Sequence, residues 1–292
     1  MTTVGEWVAG ARVRTLPAAV VPVAVGTAAA YASAPDLEII WWRAAAALVV
    51  SLALQIATNY ANDYSDGIRG TDDDRAGPMR LVGSGAAEPA AVKRMAFVFF
   101  GLAAVAGLTL AIAVGWELLI VGVAAIAAGW FYTGGSNPYG YLGLGELFVF
   151  VFFGLVATVG SAYIQPAGWS SLAWSGAVAV GCLATALLVT NNLRDIPTDA
   201  ASRKNTLAVR LGDGATRLLY AVLMGAPFVL ASIMAFDRIG ALLALAAMPI
   251  AIVATGPVQD RAVGRALIPV LERTGQTQLI YGVLLTIGLW VG

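Results

Sequence analysis

Apolar residues fall along this chain in long unbroken blocks, not in the short beats of a water-soluble helix or strand. Nine blocks of about 16 to 22 residues lie near 16–33, 40–61, 95–114, 117–132, 146–164, 170–192, 217–236, 239–257 and 276–291. Blocks of this length let a helix cross the hydrocarbon of a bilayer, where every backbone N–H and C=O must be satisfied within the segment. The pattern predicts an all-α integral membrane protein of nine transmembrane helices, one domain over residues 1–292. Four connections are long: 62–94, 133–145, 193–216 and 258–275. The last reads as an amphipathic stretch lying on the membrane surface.

Composition agrees and narrows the chemistry. The chain is 59% hydrophobic and 12% charged, with mean hydropathy +0.81. A soluble domain of 292 residues could not hide that much apolar surface. Formal net charge is zero, which argues against a nucleic-acid partner. Histidine is absent, so histidine metal sites, histidine bases and Ser-His-Asp arrangements are excluded. The single cysteine, Cys182, sits in an apolar block and can form no intrachain disulfide. With the amino terminus in the cytoplasm, fifteen of the seventeen Lys and Arg residues face inward; Arg43 and Arg238 face outward. That bias sets the orientation of a multi-pass protein of the cell membrane.

Against this background the polar residues are concentrated. The second block ends in "NYANDYSDGIRGTDDDR" over 59–75. Asn59, Asn62, Asp63 and Asp66 share one helical face at about 100° per residue. The sixth block ends in "LLVTNNLRDIPTDAASRKNTLAVRLG" over 187–212. Asn191 follows Asn62 by 129 residues, Asp195 follows Asp66 by 129, and Arg210 follows Arg80 by 130. These offsets imply a four-helix pseudo-repeat plus one further helix, with two equivalent acidic helix ends on the cytoplasmic side. Pro197 disfavours helix at the residue before it, so Asp195 and Asp199 are not expected to share regular helical geometry.

Carboxylate and amide oxygens are hard ligands suited to Mg²⁺, which protein sites commonly share with substrate phosphates. Lys204, Arg210, Arg80 and Arg69 are placed to take further phosphate oxygens. The two ends together read as a magnesium-held diphosphate site at the membrane's edge, with a lipid tail among the helices. Asp73, Asp74, Asp213 and Asp260 read as ordinary solvated acids.

These segments resemble the two aspartate-rich signatures of the UbiA superfamily of intramembrane prenyltransferases. "ARVRTLPAAVVPVAVGTA" (11–28), "RLVGSG" (80–85), "YTGGSNPYGYLGLGE" (132–146) and the TLAVRLG ending are similar to the MenA branch, the 1,4-dihydroxy-2-naphthoate polyprenyltransferases. The resemblance implies a UbiA-like bundle around a central cavity, open laterally to lipid, with Mg²⁺ as cofactor. The substrates it implies are polyprenyl diphosphate and 1,4-dihydroxy-2-naphthoate. Residue by residue, it implies metal positions at Asn62, Asp66 and Asp72 in the first motif (59–75) and at Asn191, Asp195 and Asp199 in the second (191–212). It places diphosphate at Lys204 and Arg210, and the aromatic acceptor at Arg12 and Tyr132. Many relatives carry a lysine shortly after the tyrosine equivalent to Tyr132; this chain has none, which leaves Tyr139 or backbone N–H groups to substitute.

The implied reaction ionises the allylic C–O bond, and the resulting cation needs a dry pocket with π faces. Tyr60, Tyr64, Tyr132, Tyr139 and Phe148 are candidates by location. The naphthoate ring attacks at the carbon bearing the carboxylate, and loss of CO₂ restores aromaticity without a dedicated base. Asp63 is the candidate should a ring hydroxyl be deprotonated. Two other classes share some features. A CDP-alcohol phosphatidyltransferase needs a compact DGxxAR…GxxxDxxxD array, which is absent. A transporter would carry charges at mid-membrane depth, whereas here they gather at one rim.

Overall fold

The computed structural model describes residues 2–70, 80–202 and 204–292. A short helix, α1 (Val4–Gly10), is closed by a reciprocal cap in which Thr3 and Glu6 bond each other's backbone N–H. It is followed by α2 (Pro17–Ser33), α3 (Trp41–Ile68), α4 (Pro89–Ala113) and α5 (Glu117–Phe131). The second half comprises α6 (Gly145–Tyr163), α7 (Ser171–Ala201), α8 (Leu207–Met234), α9 (Ile239–Gln259) and α10 (Ile268–Val291). No strand occurs among the described residues.

Six of these helices, α3, α4, α6, α7, α8 and α9, are long and apolar enough to cross a membrane. The segments Val4–Thr15 and α2, bent by 48° at their junction, make a seventh if taken as one span. Helix α5 is apolar but has 15 residues. The expected surface stretch 258–275 is revised: α10 begins at Ile268 and takes in its second half.

Helix starts follow local chemistry. Pro17 and Pro89 open α2 and α4, where their missing N–H costs no bond. The hydroxyls of Ser170 and Thr206 cap α7 and α8. Pro197 does not break α7, contrary to the expectation; the helix runs through it to Ala201. The helix is packed against α8, α6, α2 and α10, and Asp195 and Asp199 lie one turn apart on one face.

Small residues let the helices approach closely. A Cβ on Gly154 would lie 2.5 Å from the Gly181 Cα, at a π-helical turn of α6 (Phe150–Val156). Helix α3 packs most extensively on α4, and α7 on α8; these are matching pairs of the sequence repeat. Val105, Ile112, Ile120, Val123 and Ile252 project outward and exposed, as lipid-facing residues do. Exposed Trp41, Trp42, Trp116 and Trp169 ring the end opposite the acidic helix termini. There Arg43 donates to the carbonyls of Ile164 (2.8 Å) and Ala113 (3.3 Å), tying two helix C-termini together.

Candidate active site

The last turns of α3 form the first acidic end, and almost every polar group there is buried. Asn59 donates to the Ala11 carbonyl (3.0 Å) and to Thr15 Oγ1 (3.1 Å), and Gln55 also reaches Thr15 (3.0 Å). These amides pin the turn that carries Arg12, which is half-buried and left-handed (φ 52). Asn62 Oδ1 accepts from Thr133 Oγ1 at 2.8 Å. Asp66 Oδ1 accepts from the Tyr141 hydroxyl at 2.9 Å, and its Oδ2 lies 3.7 Å from Arg80 Nη2. Arg69 donates to the carbonyls of Thr133 and Gly135, with its guanidinium 5.5 Å from the Tyr141 ring centre. Asp72 lies outside the described residues.

Asp63, the candidate base, is bonded to the backbone of a neighbouring segment. Its side chain is fully buried, Oδ2 accepting from the Leu81 N–H (2.8 Å) and Oδ1 from the Val82 N–H (3.0 Å). With each oxygen bonded to the "RLVGSG" segment, this carboxylate anchors that loop.

The C-terminal turns of α7 form the second end. Arg194, which sequence reasoning passed over, is buried and grips both Asp195 oxygens at 2.6 Å while donating to Asn191 Oδ1 at 2.7 Å. Asp199 Oδ1 lies 3.9 Å from Lys204 Nζ, and the Lys204 backbone N–H bonds the Asp199 carbonyl at 2.8 Å. Asn192, beside Asn191, donates to Glu146 Oε1 at 2.8 Å. Arg210 Nε bonds the Asn205 carbonyl (3.3 Å) and packs on Gly143 (φ 72), where a Cβ would come within 3.1 Å of it.

The connection between α5 and α6 joins the two ends. Lys204 Nζ stands 5.0 Å from the centre of the same Tyr141 ring whose hydroxyl bonds Asp66. Asp66, Arg80, Arg69, Lys204 and Arg210 thus gather around one loop. Tyr139 does not turn toward them: its hydroxyl is spent on the Ala128 carbonyl (2.8 Å) and its ring stacks on Phe148 at 4.0 Å. Burial pushes that hydroxyl well above the usual phenol range, so it stays neutral. Tyr132 lies edge-on to Tyr139 and packs against Gly140 and Gly145. Tyr60 is a core residue bonded to the Trp7 carbonyl, and Tyr64 stacks with Trp130. Tyr141 and Arg194 had weak signals in sequence, a second tyrosine in "YGYLG" and a cation between the motif's asparagines and aspartates.

Among the described residues, no three acidic side chains converge closely enough to cage a metal by themselves. The donors nevertheless fit one held jointly with phosphate. Three oxygens of Asn191 and Asp195 already converge on a cation, the Arg194 guanidinium. Mg²⁺ characteristically takes one or two carboxylates and completes its shell with water and phosphate oxygens.

The chain matches the UbiA prenyltransferase family model over residues 19–257. It is 51% identical over 282 residues to a 1,4-dihydroxy-2-naphthoate octaprenyltransferase of Mycobacterium tuberculosis, covering 96% of this chain and 95% of that one. The fold is similar to a UbiA homolog from Aeropyrum pernix K1, with TM-score 0.72 and 13% identity over 92% of this chain and 97% of that one. A UbiA homolog from Archaeoglobus fulgidus bound to DMAPP and Mg²⁺ gives TM-score 0.68 at 14% identity, covering 98% and 99%.

Proposed function

The chain belongs to the UbiA prenyltransferase family, and we propose that it transfers a polyprenyl group from polyprenyl diphosphate to 1,4-dihydroxy-2-naphthoate. CO₂ and diphosphate are released, and the product is demethylmenaquinol, a precursor of menaquinone. The acceptor follows from the 51% identity with a naphthoate prenyltransferase across nearly the whole chain. The observation that carries the chemistry is the meeting of two acidic helix ends and their cations at Tyr141.

In this reading Asn62, Asp66 and Asp72 hold one side of a Mg²⁺–diphosphate complex, and Asn191, Asp195 and Asp199 hold the other. The metal supplies charge neutralisation of the leaving diphosphate. Lys204, Arg210, Arg80 and Arg69 stabilise charge developing on the leaving oxygens as the allylic C–O bond breaks. The apolar walls among the helices exclude water from the cation, and Tyr132 and Phe148 offer it π faces. Arg12 holds the naphthoate carboxylate until a C–C bond forms at the carbon bearing it. That carboxylate then leaves as CO₂ and its electron pair returns to the ring, so the step requires no side-chain base. The prenyl tail lies among nine spanning helices around a central cavity, in a cell-membrane protein with its amino terminus and acidic loops in the cytoplasm.

The test is product mass after incubating purified protein with dihydroxynaphthoate, a prenyl diphosphate and Mg²⁺. The expected product has gained the prenyl group and lost CO₂, and none forms in EDTA. A prenylated product that keeps its carboxylate would contradict the decarboxylating route; prenylation of a different aromatic acid alone would reassign the acceptor.

A further inference from the structure

Residues 132–144 include no lysine or arginine, yet cations from both halves of the chain converge there. Arg69 comes from the end of α3, Lys204 from the connection after α7, and Arg210 from the first turn of α8. At their centre Tyr141 does two jobs with two parts of one side chain. Its hydroxyl donates to Asp66 Oδ1, while its ring holds Lys204 and Arg69 by their attraction to the π face.

We propose that Tyr141 is the positioning residue that couples the two acidic helix ends, orienting Asp66 for a divalent cation and Lys204 for the diphosphate. The proposal deepens the function above and rests on it. A hydrogen bond to one lone pair fixes a carboxylate's rotation, and such outer partners typically matter by about 10–100-fold in affinity. The ring fixes a flexible ammonium that belongs to the opposite half of the repeat. The distance between the halves is thereby set by one residue of a loop that belongs to neither acidic motif. The loop has the rigidity for this: Arg69 bonds its Thr133 and Gly135 carbonyls, and the Gly140 N–H bonds the Tyr132 carbonyl at 3.0 Å.

Two substitutions divide the two jobs. Tyr141→Phe keeps the ring and loses the bond to Asp66; Tyr141→Leu loses both. Mn²⁺ binding in the presence of inorganic pyrophosphate, followed by electron paramagnetic resonance, reads the first job without turnover. Both variants are expected to weaken Mn²⁺ binding by about 10–100-fold. Pyrophosphate binding at saturating Mn²⁺, followed by calorimetry, reads the second. It should change less than about threefold in Tyr141→Phe and weaken by about tenfold or more in Tyr141→Leu. A merely structural tyrosine would instead lower the Tm of Tyr141→Leu and leave Tyr141→Phe like the wild type in both titrations. That result overturns the proposal, as would wild-type protein that binds no Mn²⁺. Should Tyr141→Leu fail to fold, the Mn²⁺ titration of Tyr141→Phe decides alone. Neither titration contains naphthoate, so both outcomes stand whichever aromatic acid is the acceptor.

Discussion

The two acidic helix ends are 129 residues apart in sequence and carry matching Asn and Asp positions, but they are stabilised in different ways. At the end of α3 the carboxylates lean on other parts of the chain. Asp63 holds the Leu81–Val82 backbone, and Asp66 takes a neutral hydroxyl donor from Tyr141 with Arg80 no closer than 3.7 Å. At the end of α7 Asp195 is paired within its own helix, where Arg194 clamps both its oxygens at 2.6 Å and reaches Asn191 as well, while Asp199 faces Lys204 beyond the helix end. The acid positions match by offset while their supports differ. Asp63 corresponds by offset to Asn192, and where the former anchors a loop, the latter bonds the buried Glu146. A divalent cation arriving at the α7 end meets an Asp195 already paired with a guanidinium.

If both ends nevertheless serve one diphosphate, the largest effects come from their central carboxylates. Asp66→Ala and Asp195→Ala should each lower turnover by more than the roughly 10–100-fold expected for losing an outer partner, with folded, extractable protein by size-exclusion chromatography. Near-normal activity in either would break the symmetry of function across the repeat.

The cations sharpen the comparison by substrate. Arg12 sits on the turn pinned by α3 amides, and Lys204 sits beside Asp199 of α7. A lost charge-assisted contact costs about 1.5–3 kcal/mol, or roughly 10- to 150-fold in affinity. Arg12→Ala should therefore raise KM chiefly for dihydroxynaphthoate, and Lys204→Ala or Arg210→Ala chiefly for the prenyl diphosphate. Steady-state kinetics with each substrate varied in turn, normalised to folded protein, separates the two. Equal effects on both substrates would make Arg12 a topology anchor.

Asp63→Asn should act on stability. One face of the amide would meet a backbone N–H with its own NH₂, leaving a buried donor unsatisfied at a cost of about 1–3 kcal/mol. Thermal melting should drop, while activity per folded molecule falls far less than in Asp66→Ala. A collapse of kcat without loss of Tm would restore Asp63 to catalysis. At the smallest end, Asp73→Ala and Asp74→Ala, taken as solvated acids, should change kcat/KM by no more than about twofold.

Hydropathy located the helices well and their acidic ends poorly, for a physical reason. The apolar blocks 40–61 and 170–192 mark only where the side chains are apolar, whereas α3 runs on to Ile68 and α7 to Ala201. Those extra turns hold Asn62, Asp63 and Asp66 on α3, and Arg194, Asp195 and Asp199 on α7. Pro197 misleads for a related reason: propensity is local, and the packing of α7 against α8, α6, α2 and α10 is not. The acidic motifs were legible because the helical period and the 129-residue offset are properties of the chain itself. Tyr141 was not. Its meaning lies in a fold-back that brings Asp66 and Lys204 to one ring, and "YGYLG" offers Tyr139 equally well. Their bonds in the fold distinguish them, Tyr139 to the Ala128 carbonyl and Tyr141 to Asp66.

The central claim is that two differently supported ends make a single diphosphate site. Calorimetric titration of inorganic pyrophosphate in excess Mg²⁺ measures this directly, on wild-type protein, Asp66→Asn, Asp195→Asn and the double variant. One joint site predicts a single pyrophosphate per chain, weakened by either substitution, with a double variant well short of the sum of the two losses because both act on the same bound group. Two pyrophosphates per chain, with each substitution abolishing one and sparing the other, would contradict it.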